Sequence, residues 1–156
     1  MKVQPFLADF AQVEGGKVGA LGLGWTTCGT PAPPFAFVIF IDFELHELRD
    51  EFLVTINLLG SDDQPVTLPG PSGPVPVSFQ FKTALKLHDQ AATDLSIRLP
   101  IALNVQGSLP LELGKYRWRI LLKEFEADAG YAAFEVLSKV TPTVSGSGPV
   151  LQHPDL

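Results

Sequence analysis

The chain has 156 residues, of which 46% are hydrophobic, with 14 Gly, 14 Pro and 11 Phe, and 17 acidic against 11 basic side chains give a formal charge of −6. That length supports one domain with a packed core and no disulfide or metal staples; the Gly and Pro content argues against a helical bundle, and the acidic balance against a general nucleic-acid binder. With a single cysteine, Cys28, no intrachain disulfide can form, and the longest apolar run, 35–41, is too short to cross a bilayer.

Residues 7–25 predict two strands joined by a tight Glu14-Gly15-Gly16 turn. The second strand sorts its residues by size, with Leu21, Leu23 and Trp25 on one face and Ala20, Gly22 and Gly24 on the other. A bare glycine face predicts that something approaches the backbone there. Asp9 interrupts the first apolar stretch early, so no signal-peptide core is expected, and the expectation is a cytoplasmic protein with no membrane contact. A crossover is expected at 29–34. Residues 35–41 (FAFVIFI) are apolar on both faces, whereas a strand of an antiparallel sheet normally keeps one face wet. Either the chain covers the second face or this strand forms an oligomer interface, which makes Phe35, Phe37 and Ile39, with Gly22 and Gly24, candidate interface residues.

Residues 42–51 are the densest polar cluster, and 44–51 within them is the one expected helical turn. Glu44, His46 and Glu47 could hold a divalent ion, but no metal-ligand spacing is present, and a solvated charged turn is the expectation. Residues 52–58 alternate as a strand, 60–65 as a hairpin connection, and 69–74 (PGPSGP) as a loop of extended or turn geometry. Residues 75–81 alternate cleanly. After a crossover at 82–94, so do residues 95–105, where Pro100 removes a ladder donor and predicts an edge or a bulge. Residues 115–123 place Tyr116, Trp118, Ile120 and Leu122 inward and Lys115, Arg117, Arg119 and Lys123 outward. A hairpin connection at 127–130 leads to a last strand at 131–137. The composition divides the chain into a domain over 1–140 and a flexible tail over 141–156.

These elements predict an all-β fold: a single β-sandwich of seven or eight mostly antiparallel strands, immunoglobulin-like in general plan. Its expected core draws on Phe6, Leu23, Trp25, Phe37, Val54, Ile56, Phe79, Ile97, Leu99, Tyr116, Trp118 and Ile120. In Leu111-x-x-Gly114-x-Tyr116-x-Trp118 the tyrosine hydroxyl is expected to tie back to nearby backbone as a corner clamp.

Catalytic chemistry has little support. There is no Gly-x-Ser-x-Gly elbow, and His46, His88 and His153 fall in a polar turn, a loop and the tail. Cys28 has no local base, and the glycines at 19–24 are not followed by a helix that would grip phosphate. No enzyme activity, metal or cofactor is therefore expected. Candidate binding residues are Trp25, as a stacking platform or a core residue, and Arg117 and Arg119, as an anionic-partner site or as cations paired across the sheet.

The opening LADFAQV-x-GGK…LGxGW, the central Pro/Gly loop at 65–74 and the late LxxGxYxW at 111–118 resemble a family of small bacterial proteins of unknown function. The resemblance runs to about residue 137. It implies a shared compact β domain and transfers no reaction or site. The leading expectation is a non-enzymatic interaction or assembly module, with a homo-oligomer or a protein partner. The alternative is a small-molecule binding domain with a pocket near the N-terminal hairpin, beside Trp25 and the 69–74 loop.

Overall fold

The computed structural model describes residues 1–84 and 97–138. The strands, in chain order, are β1 (Lys2–Ala8), β2 (Phe10–Glu14), β3 (Lys17–Leu21), β4 (Thr27–Gly29), β5 (Phe35–Phe43), β6 (Phe52–Leu59), β7 (Thr67–Gly70), β8 (Gly73–Pro76), β9 (Ser78–Thr83), β10 (Ile97–Val105), β11 (Gly114–Leu122) and β12 (Gly130–Leu137). Two short 3-10 segments, Leu45–Glu47 and Lys123–Asp128, complete the described elements, and no α-helix occurs among them.

The strands form a three-stranded sheet in the order β1-β5-β10, a five-stranded sheet in the order β4-β12-β11-β6-β9, and two separate ribbons, β2-β3 and β7-β8. Every pairing is antiparallel except that of β4 with β12. Both larger sheets contribute to one core. Phe37 of β5 lies 5.0 Å from Trp118 of β11 and 6.1 Å from Phe79 of β9, ring centre to ring centre. Trp118 is fully buried, and loss of a side chain of that size from a packed interior costs about 3–5 kcal/mol.

The doubly apolar β5 has a direct explanation. Phe35, Phe37, Ile39, Ile41 and Phe43 face the shared core, while Ala36 and Val38 meet Ala8 and Ala11, with Val18 and Ala20 packed against them. The β2-β3 ribbon thus folds over the outer face of the three-stranded sheet. Asn104 of β10 fastens it, accepting the Ala11 N–H at 3.1 Å and donating its amide to the Ala11 carbonyl at 2.8 Å. Of the two alternatives for this strand, the chain itself supplies the cover.

Proline sets the edges. Pro100 lies on β10 and Pro5 on β1, the two outer strands of the three-stranded sheet, where a missing N–H leaves no central ladder bond unmade. Where β1 crosses β12 the backbones come close. A Cβ at Gly130 would lie 2.7 Å from the Val3 carbonyl oxygen and 2.9 Å from Pro5 Cδ, so glycine is required there.

Several expectations need correction. The strand predicted to run to Trp25 ends at Leu21, and Gly22 and Gly24 lie in a turn with φ of +60° and +87°. Leu23, expected in the core, is 52% exposed, and Phe6 is 39% exposed. Strand β11 stops at Leu122, so Lys123 belongs to the following 3-10 segment and the outward basic row holds three residues, not four. The predicted strand over 75–81 breaks at Val77, and Val75 is exposed. The Pro/Gly loop is a ribbon whose register pairs Thr67 with Pro76 and Pro69 with Pro74, leaving the ladder donors to Leu68, Gly70, Gly73 and Val75. Strands β1 and β4 have no counterpart in the sequence reading. Most of the expected 82–94 crossover, with His88, and the 141–156 tail, with His153, lie outside the described residues.

Candidate functional site

Three places collect the candidate residues. The first surrounds Trp25, in the segment between β3 and β4. Its ring meets Phe35 at 6.1 Å and Phe134 at 5.9 Å, both edge to face, and it is partly buried against the shared core. Its indole Nε1 is shut off from solvent with no hydrogen-bond partner among the described residues. Trp25 therefore extends the aromatic core more than it offers a stacking surface. Phe35, Phe37 and Ile39 lie behind it, each 3% exposed or less. As interface residues they are not accessible.

Gly22 and Gly24 sit beside this group on the surface. The Gly24 N–H donates to the Leu7 carbonyl at 2.6 Å, and the Asp9 N–H to the Leu21 carbonyl at 2.9 Å. A Cβ at Gly22 would collide with the Asp9 carboxylate, whereas one at Gly24 would meet nothing. The close approach that the bare glycine face predicted is thus an intrachain contact with Asp9 at Gly22, and open space at Gly24. Around this turn the ribbon exposes Phe10, Leu21 and Leu23, Val13 is exposed at its far end beside Glu14, and β1 adds Phe6, which meets Phe40 edge to face at 6.3 Å. Phe10 and Leu21 are direct cross-strand partners, so their side chains share a face.

The second place is the outer face of the five-stranded sheet. Lys115, Arg117 and Arg119 alternate along β11, opposite Glu135, Ala133 and Tyr131 of β12. Arg117 pairs with Asp63 of the 60–65 turn, and its guanidinium carbon lies 4.8 Å over the Tyr131 ring. Arg119 lies opposite Tyr131 and Asn57 and has no ion pair or hydrogen bond among the described residues. Cross-strand pairing accounts for neither arginine; one is paired from a turn, and the side chain of the other has no partner among the described residues.

The third place is a cleft of about 520 Å³ beside the β7-β8 ribbon, lined by Val66, Leu68, Pro69, Leu111, Glu112 and Tyr116 among others. Tyr116 forms the expected clamp, its hydroxyl donating to the Glu112 carbonyl at 3.0 Å. Burial, first, and the Glu112 charge raise the Tyr116 pKa, against the lowering effect of that hydrogen bond. The cleft joins the 69–74 segment to Tyr116, and Trp25 does not line it.

Carboxylates of the polar cluster at 42–51 are taken up by hydrogen bonds and ion pairs, Asp42 with Arg98 and Glu51 with Lys82 among them. The Glu44 N–H donates to Glu47 Oε2 at 2.8 Å, Arg49 Nη1 to the His46 and Leu48 carbonyls, and Glu47 also pairs with the Met1 amino group. Among the described residues no group of three or more His, Cys, Asp or Glu side chains is placed to hold a metal ion. Cys28 is buried in β4, and that burial raises its pKa, which holds the thiol protonated. No described helix is long and apolar enough to cross a membrane. No protein-family model, curated protein or solved structure matches the chain.

Proposed function

We propose that this chain is a non-enzymatic interaction module that assembles through its N-terminal ribbon, with a second copy of itself as the simplest partner. One observation carries the reading. Nine large hydrophobic side chains are exposed among the described residues, and five of them, Phe6, Phe10, Val13, Leu21 and Leu23, fall between positions 6 and 23. Phe10 and Leu21, cross-strand partners on one face of the ribbon, form the centre of that exposure, and contiguous apolar exposure marks a contact surface whereas scattered exposure does not. The outer edge of β3 has no ladder partner among the described strands, and an antiparallel edge can pair with its own copy across a two-fold axis. An immunoglobulin-like sandwich is the architecture we infer for the module. Its support is the order β1-β5-β10 in one sheet and β12-β11-β6-β9 in the other, with a tyrosine clamp at the start of β11.

Light scattering coupled to size exclusion, over a wide concentration range, tests the assembly. A mass near twice 16.8 kDa is expected, and Leu21→Asp should return it to 16.8 kDa, since a charge on a buried apolar contact is strongly unfavourable. A monomer at all concentrations overturns the reading. The alternative, a small-molecule binding domain, is favoured by the 520 Å³ cleft beside Tyr116. It predicts a rise in melting temperature with some class of metabolite, and loss of that rise on Leu68→Arg.

A further inference from the structure

The outer face of the five-stranded sheet runs against the charge of the whole chain. With a formal charge of −6 overall, the chain nonetheless sets Lys115, Arg117 and Arg119 on one face of β11. Asp63 of the 60–65 turn pairs with Arg117, and Glu135 is the cross-strand neighbour of Lys115.

The two arginines are not equivalent. Each is half-buried, and in each the Nε is shut off from solvent without a partner among the described residues. Arg117 is further held by Asp63 and by the Tyr131 ring, so it has lost part of the rotamer freedom that binding would otherwise cost. The terminal nitrogens of a guanidinium keep the planar fork that suits a carboxylate. Arg117 lies over Tyr131 and is capped by Asp63; Arg119, two residues along and facing the same way, is uncapped.

Asp63 shows which chemistry this row takes. It is the one non-glycine described residue with positive φ, +63°. The turn is closed by the Gly60 N–H on the Gln64 carbonyl at 2.9 Å and the Asp63 N–H on the Gly60 carbonyl at 3.1 Å. Asp, which tolerates this region, thus lets the turn close while its carboxylate reaches Arg117.

We propose that Arg119, with Arg117 and Tyr131, forms a receptor for a carboxylate presented by an acidic segment of a partner protein, and that Asp63 occupies half of it from within. Arg119, without a side-chain partner among the described residues, would take one carboxylate, and displacing Asp63 would admit a second at Arg117. A long polyanion such as a nucleic acid would instead meet the repulsion of the whole chain. The proposal rests on the reading of the chain as an interaction module but uses a different surface from the N-terminal ribbon, so it can fail while that assembly stands.

The test is a titration of the full chain with hexaglutamate, read at the arginine Nε–H signals by ¹H–¹⁵N NMR. Sodium chloride at matched ionic strength and hexalysine serve as controls. A saturable shift of the Arg119 signal is expected with hexaglutamate alone. Arg119→Gln should weaken binding at least about ten-fold, the scale of losing a charge-assisted hydrogen bond. Asp63→Asn keeps a residue type tolerant of positive φ and frees Arg117, so it should tighten binding by about three-fold. A shift equal to that from salt, or unchanged binding in both variants, overturns the proposal. Saturation by inorganic phosphate with hexaglutamate silent would overturn the carboxylate assignment.

Discussion

Tyr116 illustrates how much one side chain can carry. Its ring stacks on Phe134 at 5.7 Å, inside the aromatic cluster that both sheets share, while its hydroxyl reaches back to the Glu112 carbonyl. The clamp holds the turn that aims β11 into the sheet, and Gly114, with φ of +152°, supplies the conformation the turn needs. The spacing Leu-x-x-Gly-x-Tyr made this contact legible, because donor, turn and acceptor all lie within a few residues. Trp25 was less legible. Alternation placed it in line with Leu21 and Leu23, but the positive-φ glycines between them break the strand, and the three residues part company. Tyr116→Phe keeps the ring and removes only the hydroxyl. We expect a loss of about 1 kcal/mol, the net worth of one hydrogen bond, or about 3 °C in melting temperature for a chain of this length. Thermal unfolding followed by circular dichroism measures it, and an unchanged midpoint would mean the clamp contributes nothing.

At the scale of elements, local patterns were readable and non-local ones were not. The two-faced apolarity of β5 stated that both faces are covered, but not by what. The covering ribbon lies 15 or more residues earlier and its fastening residue, Asn104, more than 60 later. Pro100 correctly marked an edge, since a missing donor is a local fact. The β7-β8 ribbon escaped because four prolines within ten residues suggested a loop, whereas Pro71 sits in the turn and the spacing of the other three lets them share the non-bonded positions of a short ladder. The outward row Lys115, Arg117 and Arg119 was legible as a row, but its satisfaction by Asp63 was not, because the partner comes from a turn. The Asn104 latch makes a specific claim about the β2-β3 ribbon. Asn104→Ala removes both bonds to Ala11 and should free the ribbon to open without unfolding the sheets. Hydrogen exchange of the Ala11 amide should quicken by about ten-fold or more, as expected for the loss of one to two hydrogen bonds, while β11 amides stay protected. Equal acceleration in both places would show instead that the ribbon and the core open together.

For the whole molecule, the question is what joins the elements besides the core, and charge supplies part of the answer. Asp42 of β5 accepts Arg98 of β10 through two bonds, Nε to Oδ1 at 2.7 Å and Nη2 to Oδ2 at 2.9 Å, and the Gln4 amide of β1 at 3.2 Å. One carboxylate thus spans all three strands of its sheet, at the end the β2-β3 ribbon leaves open. The Arg98 hydrogen bond, outweighing the opposing effect of burial, holds the Asp42 pKa below its ordinary value of 3.8. Glu47 is lowered too, from 4.5, chiefly by its bond to the Met1 amino group. A carboxylate with a depressed folded-state pKa contributes stability that is complete above its unfolded value and is lost as pH falls through the folded one. Acid should therefore weaken this protein at pH values below about 4, and the Asp42 share should vanish in Asp42→Asn. That variant should melt a few degrees below the parent near neutral pH, because Arg98 keeps a weaker, uncharged acceptor. The gap should stay constant down to about pH 5 and close toward about pH 3, as the parent's own carboxylate takes up its proton. A gap that persists unchanged into acid would show that the amide introduced by Asp42→Asn disturbs the packing of the three strands, and that the ion pair with Arg98 is not what joins them.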